Sequence, residues 1–315
     1  MDPTHQSDPG RRTQGESLRA QTFVGGWEAG DGPAPTSRVL MIRPASFGFN
    51  PETAASNTFQ QNTHDVNASD TARQEFDQAV ITLTQAGVQV EVIEDTSEPP
   101  KPDAVFPNNW VSFHPGGRAI LYPMANPSRQ AEVRPEILQQ LGYQVALDLR
   151  QVAHGKALEG TGSLVFDHQD KLAYACISPR TDHDLAQLVC EQIGYRLVAF
   201  KATHQGQPIY HTNVLMAVGE DLIVICKEVC ESLPELHKPV LKISRAQMCA
   251  FAGNMLQLRS TSGENLWVMS ETAWTSLTPD QQRQLEQSGK PVAIRIPTIE
   301  TLGGGSARCM IAELF

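Results

Sequence analysis

The sequence predicts an α/β protein made of five ββαβ units around a pseudo-fivefold axis, one closed domain rather than two. Three observations lead there. An order of two strands, a helix and a strand recurs along the chain, and repeats of this length signal a repeated supersecondary unit. Turn signals separate the apolar or alternating runs at matching places in each unit. The first and last apolar segments each lack a hairpin partner that the other can supply.

Residues 1–37 are polar and rich in Pro and Gly, and read as a flexible tail. Arg11-Arg12 is not followed by the apolar segment that an export signal needs. One unit then opens with the strand Arg38 to Pro44, a helix from about Ser69 to Ala86, and VQVEVIE. The next runs from VSFHPGGRAILYPM through a helix around Gln130 to Leu141 to YQVALDL. SLVFDHQDKLAYACI, a helix from about Asp182 to Ile193 and YRLVAF form another. It is followed by VLMAVGEDLIVIC, a short helix near Val229 to His237 and KPVLKIS. The last full copy is MLQLRSTSGENLWVMS, a helix from about Thr278 to Ser288, where Thr278-Pro279 is a strong start signal, and KPVAIRI. The C-terminal CMIAELF supplies the hairpin strand missing from the first unit, so the domain spans 38–315.

A net charge of −10 argues against nucleic acid or an anionic membrane as partner, since both select Lys/Arg excess. No run of ~18 apolar residues is present to span a bilayer. The six cysteines are irregularly spaced, which reads as free thiols in a reducing, cytoplasmic setting. Cys226-x-x-x-Cys230 has no second ligand pair, and the GTGS and GGGS runs lack a P-loop lysine. Neither a metal nor another cofactor is expected.

The segments leading into the first strands hold the unusual residues. They are Asp103 to Asn109, Leu158 to Ser163, Tyr210 to Asn213, and Gly303 to Cys309. In a closed repeat these equivalent turns point at the central axis, so Glu159, His211 and Cys309 should converge. A thiol with an imidazole in reach is the pair needed for covalent catalysis, because the thiolate is the nucleophile. Glu159 could hold the imidazole or a leaving nitrogen. The three glycines before Cys309 would let backbone approach a ligand closely.

The chain resembles the guanidino-group-modifying enzymes of the pentein superfamily, and within it the citrulline utilisation hydrolase group. The carriers are RPASFGFNPETAASNTFQ, PDAVFPNNW, LEGTGS, ISPRTD, YHTNV and GGGSARCM, which together span nearly everything from Val39 to Phe315. The resemblance implies a five-bladed α/β propeller. It also implies Cys309 as nucleophile, His211 as general acid/base and Glu159 as the substrate-binding glutamate of the catalytic set. Asp103 and Phe106 match a substrate-binding Pro-Asp-x-Val-Phe segment, with Asn108 and Asn109 at its end. Arg180 matches the arginine that holds the substrate's α-carboxylate.

Two positions depart from the relatives that act on arginine. Those relatives carry Asp where this chain has Asn109, and the deiminases a second Asp where it has Asn213. Guanidinium offers donors only, which suits carboxylates; a ureido group also presents an acceptor oxygen, which suits an amide. The departure tilts the expected substrate to citrulline, cleaved to ornithine, carbon dioxide and ammonia. The alternatives are an arginine or methylarginine deiminase or dihydrolase, and a non-catalytic pentein that serves as a binding module. The partner expected is a small amino-acid substrate, and a homo-oligomer is compatible with all of these readings.

Overall fold

The apolar residues Val39 to Ile42 of β1 (Arg38–Arg43) are all buried. Such a continuous apolar run suits a strand with neighbours on both edges and both faces covered. The protein is described by a computed structural model over residues 35–63, 66–232 and 235–315. Parallel to β1 lies β2 (Gln89–Glu94). The helix Ala68–Gln85 connects them and turns Ala72, Phe76, Ala79 and Leu83 into the core. That spacing of three and four residues makes one apolar stripe.

Each of the next units places an antiparallel hairpin first and a parallel strand third. They are β3 (Val111–His114), β4 (Arg118–Leu121) and β5 (Gln144–Asp148), then β6 (Leu164–Asp167), β7 (Leu172–Cys176) and β8 (Arg196–Phe200). A small hairpin of β9 (Thr203–His204) and β10 (Gln207–Pro208) follows. Next come β11 (Met216–Val218), β12 (Ile223–Ile225) and β13 (Val240–Lys242). The last full unit is β14 (Leu256–Arg259), β15 (Asn265–Ser270) and β16 (Lys290–Ile294). Finally β17 (Ala312–Leu314) pairs antiparallel with β1. Among the described residues there are thus five three-stranded sheets of one strand order, and the first is assembled from both ends of the chain.

The helices depart from the sequence reading where proline intervenes. The helix expected over Gln130 to Leu141 is two short ones, Pro127–Gln130 and Pro135–Gln140. Pro135 cannot sit inside a helix but starts one well. Between β12 and β13 the described residues hold a 3-10 turn, Lys227–Val229, rather than a helix near Val229 to His237. Cys226 and Cys230 flank that turn. Residues 1–34 of the expected tail lie outside the described residues. Its last residues are tied down: Thr36 Oγ1 donates to Leu314 O at 2.6 Å, and Ser37 O accepts from Gln89 N at 2.7 Å. Among the described residues no helix is long and apolar enough to cross a membrane.

Candidate active site

Four lead-in segments end in a single helical turn. These turns are Pro107–Asn109 before β3, Gly160–Ser163 before β6, Thr212–Val214 before β11 and Ala307–Met310 before β17. The turns pack on one another, and this brings residues distant in sequence together. Glycine makes the approach possible. A side chain on Gly160 would meet Asn108 O at 2.1 Å. One on Gly162 would meet Asn109 Nδ2 at 2.5 Å and His211 Nδ1 at 2.7 Å.

A narrow cleft opens beside them, lined by Asp103, Phe106, Asn109, Arg129, Arg180, Tyr210, His211, Gly303 to Gly305 and Cys309, among others. His211 and Cys309 share it, and both are buried. His211 Nε2 lies 2.7 Å from Glu159 Oε2. Against a carboxylate this nitrogen carries the proton and donates it, which leaves the lone pair on Nδ1. Burial lowers the His211 pKa to about 4, helped by the Arg180 charge and opposed by Glu159. The imidazole is therefore neutral and able to accept a proton. Burial acts to raise the Glu159 carboxyl, but Arg180 and His211 outweigh it and hold it well below the usual carboxylate range.

Both oxygens of Glu159 are engaged by protein groups. Oε1 accepts from Ala125 N at 3.0 Å, and Oε2 accepts from His211 and from Arg180 Nε at 2.7 Å. It orients the imidazole. Arg180 is likewise engaged: Nε and Nη2 grip Glu159 and the guanidinium lies 4.7 Å over the Tyr210 ring. Only Nη1 lacks a partner among the described residues, so its two N–H donors remain for a ligand.

The sequence reading did not single out Arg129, a buried residue at the heart of the cleft. It donates to Asn109 Oδ1 at 2.9 Å, to both Glu132 oxygens at 2.9 Å, and lies 3.9 Å from Asp103 Oδ2. Asp103 Oδ2 also accepts from Asn50 at 2.7 Å, while Oδ1 has no partner among the described residues. Burial, only partly offset by Arg129, raises the Asp103 carboxyl and lifts Glu132 to about 7. Phe106 fills the space over the glycines, where a side chain on Gly303 or Gly305 would meet its ring at 2.8 or 2.9 Å. The glycines thus admit a protein ring as well as bordering the cleft.

Two expected binding residues lie elsewhere. Asn108 is buried behind the cleft rather than lining it. Asn213 sits against Cys309, with Nδ2 3.6 Å from its Sγ, on the wall of a larger cavity bordered by Arg308 and Glu313. Asn254 is a further neighbour that the sequence reading passed over, with Nδ2 3.3 Å from Cys309 Sγ. Its turn leads into β14 and is the fifth member of the lead-in series, so the repeat itself carried the signal. Burial lifts Cys176 and Cys190 to about 12, the state of packed thiols. Cys249 is exposed. Among the described residues no cluster of three or more His, Cys, Asp or Glu could hold a metal ion.

A family model for eukaryotic N,N-dimethylarginine dimethylhydrolase matches residues 43–315. No curated protein matches the chain. Among solved structures it is similar to ArgZ, an arginine dihydrolase from the ornithine–ammonia cycle in cyanobacteria, with a TM-score of 0.71 and 15% identity. That match covers 88% of this chain but 40% of the full ArgZ chain. The N-terminal domain of ArgZ bound to substrate is covered to 97%, with a TM-score of 0.68. A dimethylarginine dimethylaminohydrolase captured as its S-methyl-L-thiocitrulline adduct matches with a TM-score of 0.63 and 14% identity. At these identities the structural likeness is one of fold, and the α/β architecture is that of the pentein enzymes. The family match carries further: the chain belongs to the dimethylarginine dimethylhydrolase family of carbon–nitrogen hydrolases, within the guanidino-group-modifying pentein superfamily.

Proposed function

We propose that this protein is a cysteine-dependent hydrolase that cleaves citrulline to ornithine, carbon dioxide and ammonia. The observation that carries the substrate is the orientation of Asn109. Arg129 offers donors only, so the oxygen of the Asn109 amide must turn to it and the Nδ2 donor is left for the cleft. Among the described residues that Nδ2 has no partner. Facing it, a guanidinium would set donor against donor, whereas a ureido oxygen accepts. Asp103 Oδ1 supplies the complementary acceptor for a ureido N–H.

The chemistry follows from the protonation states. His211 Nδ1 takes the Cys309 proton as sulfur attacks the ureido carbon, and the imidazolium is held by ionised Glu159. The tetrahedral adduct collapses with loss of ammonia, which takes the proton from His211, and leaves a thiocarbamate on Cys309. His211 then deprotonates water. Attack breaks the carbon–sulfur bond, returns the thiol and releases N-carboxyornithine, which loses carbon dioxide. An amide N–H near the developing oxyanion contributes a few kcal/mol per donor, on the order of ~3. As the frame for this site we propose five blades around one axis over residues 38–315, supported by the shared strand order and the β17–β1 pairing.

A second reading, turnover of arginine or a methylated arginine with the same groups, is favoured by the family match and by ArgZ. Purified protein supplied separately with citrulline, arginine and dimethylarginine distinguishes them. Citrulline should be fastest, yielding ornithine and ammonia in equal amounts. Faster release of ammonia or a methylamine from the guanidino compounds would favour the second reading, and turnover of none would overturn both.

A further inference from the structure

We infer that Asn254 is a catalytic residue whose side-chain amide stabilises the thiolate of Cys309. The inference rests on Cys309 being the nucleophile, but not on which substrate it attacks. Asn254 is buried, and its amide makes three defined contacts. Oδ1 accepts from Arg308 N at 3.1 Å, and Nδ2 donates to Asn213 O at 3.0 Å and to Cys309 Sγ at 3.3 Å. The Arg308 N–H can only donate, which fixes the oxygen on that side and turns the NH2 to sulfur.

An N–H aimed at sulfur gains strength when the sulfur is ionised. The neutral thiol can also use the same residue as an acceptor, since Sγ lies 3.7 Å from Oδ1. Asn254 thus accommodates both states and binds the charged one more strongly. Asn213 Nδ2 at 3.6 Å is a longer second donor.

The turn is built to bring the amide there. Phe251 has a φ of +63°, a left-handed conformation uncommon for a bulky residue. A side chain on Gly253 would meet Val214 O at 2.5 Å, so glycine is required for the turn to lie against the one that follows His211.

Iodoacetamide labelling of Cys309, followed by peptide mass spectrometry across pH, tests this in Asn254→Ala and Asn254→Asp. Asp keeps the acceptor for Arg308 N but loses the donors to sulfur and to Asn213 O. In both variants the midpoint of the labelling profile should move up by about one pH unit or more, a loss of ~1.4 kcal/mol per unit. Turnover should fall at least tenfold in kcat with KM little changed. A labelling profile that coincides with the wild type in a folded variant would overturn the inference. So would loss of turnover in Asn254→Ala that Asn254→Asp restores, because anchoring alone would then explain the residue. Labelling reads the thiol without substrate, so failure of the citrulline reading leaves this test intact.

Discussion

Replacing Asn109 by Asp exchanges the donor that faces the cleft for an acceptor while changing almost no volume. One carboxylate oxygen can still accept from Arg129 Nη1, as Asn109 Oδ1 does at 2.9 Å, so the variant should fold. The other oxygen would face the ureido oxygen of citrulline, acceptor against acceptor. Leaving such a group unsatisfied in a buried site costs about 1–3 kcal/mol, which is roughly 5- to 150-fold in kcat/KM. A guanidinium gains a charge-assisted bond at the same place. The ratio of kcat/KM for citrulline over arginine should therefore fall by at least tenfold, and the ratio is insensitive to the fraction of active protein. Measured by ammonia release from each substrate, a ratio that stays within about threefold of the wild type would refute the assignment of Asn109.

Other perturbations test the rest of the site. In Gly162→Ala the new methyl meets Asn109 Nδ2 and His211 Nδ1 at 2.5 and 2.7 Å, and displacement of catalytic groups by about 1 Å costs on the order of 10²-fold in kcat. Steady-state kinetics beside a thermal melt should show that loss with the fold retained. Arg129→Met leaves Glu132 and Asp103 buried without their cation, and should cost about 3–5 kcal/mol in urea unfolding at neutral pH. The loss should be smaller at pH 5, where Glu132 is protonated in both proteins, and grow above pH 7, where only the wild type ionises it readily. Burial lowers His114 to about 3, so the folded state keeps it neutral while the unfolded chain binds a proton below about 6.5. Stability from this residue is present above that range and lost as pH falls. Relative to His114→Gln, the wild type should lose about 2 kcal/mol between pH 7.5 and pH 5 in denaturant titrations.

The repeat was legible because each unit restates the same pattern of apolar runs and turns. That pattern placed β1 and the helix Ala68–Gln85 to within a residue, and found the closing strand β17 although its first three expected residues, Cys309 to Ile311, lie outside the strand. Position in the repeat also brought Glu159, His211 and Cys309 to neighbouring turns, which composition could not. Arg129 was illegible because it sits in a helix of four residues with no apolar stripe, and its importance comes from neighbours more than 20 positions away in the case of Asp103. Asn254 was overlooked for another reason: its turn holds no residue type that stands out, and only symmetry with the other lead-in turns marks it. The contacts that tie Glu159 to Ala125, Arg180 and His211 come from other segments of the chain, which residue type alone does not reveal.

The covalent intermediate tests the account most directly. Wild-type protein turning over citrulline, quenched in acid within milliseconds and digested, should give a peptide in which Cys309 carries citrulline less ammonia. The adduct should accumulate in Gly162→Ala if His211 can no longer activate water, and should be absent in Cys309→Ser. Turnover with Cys309 unmodified, or activity retained in Cys309→Ser, would contradict the account.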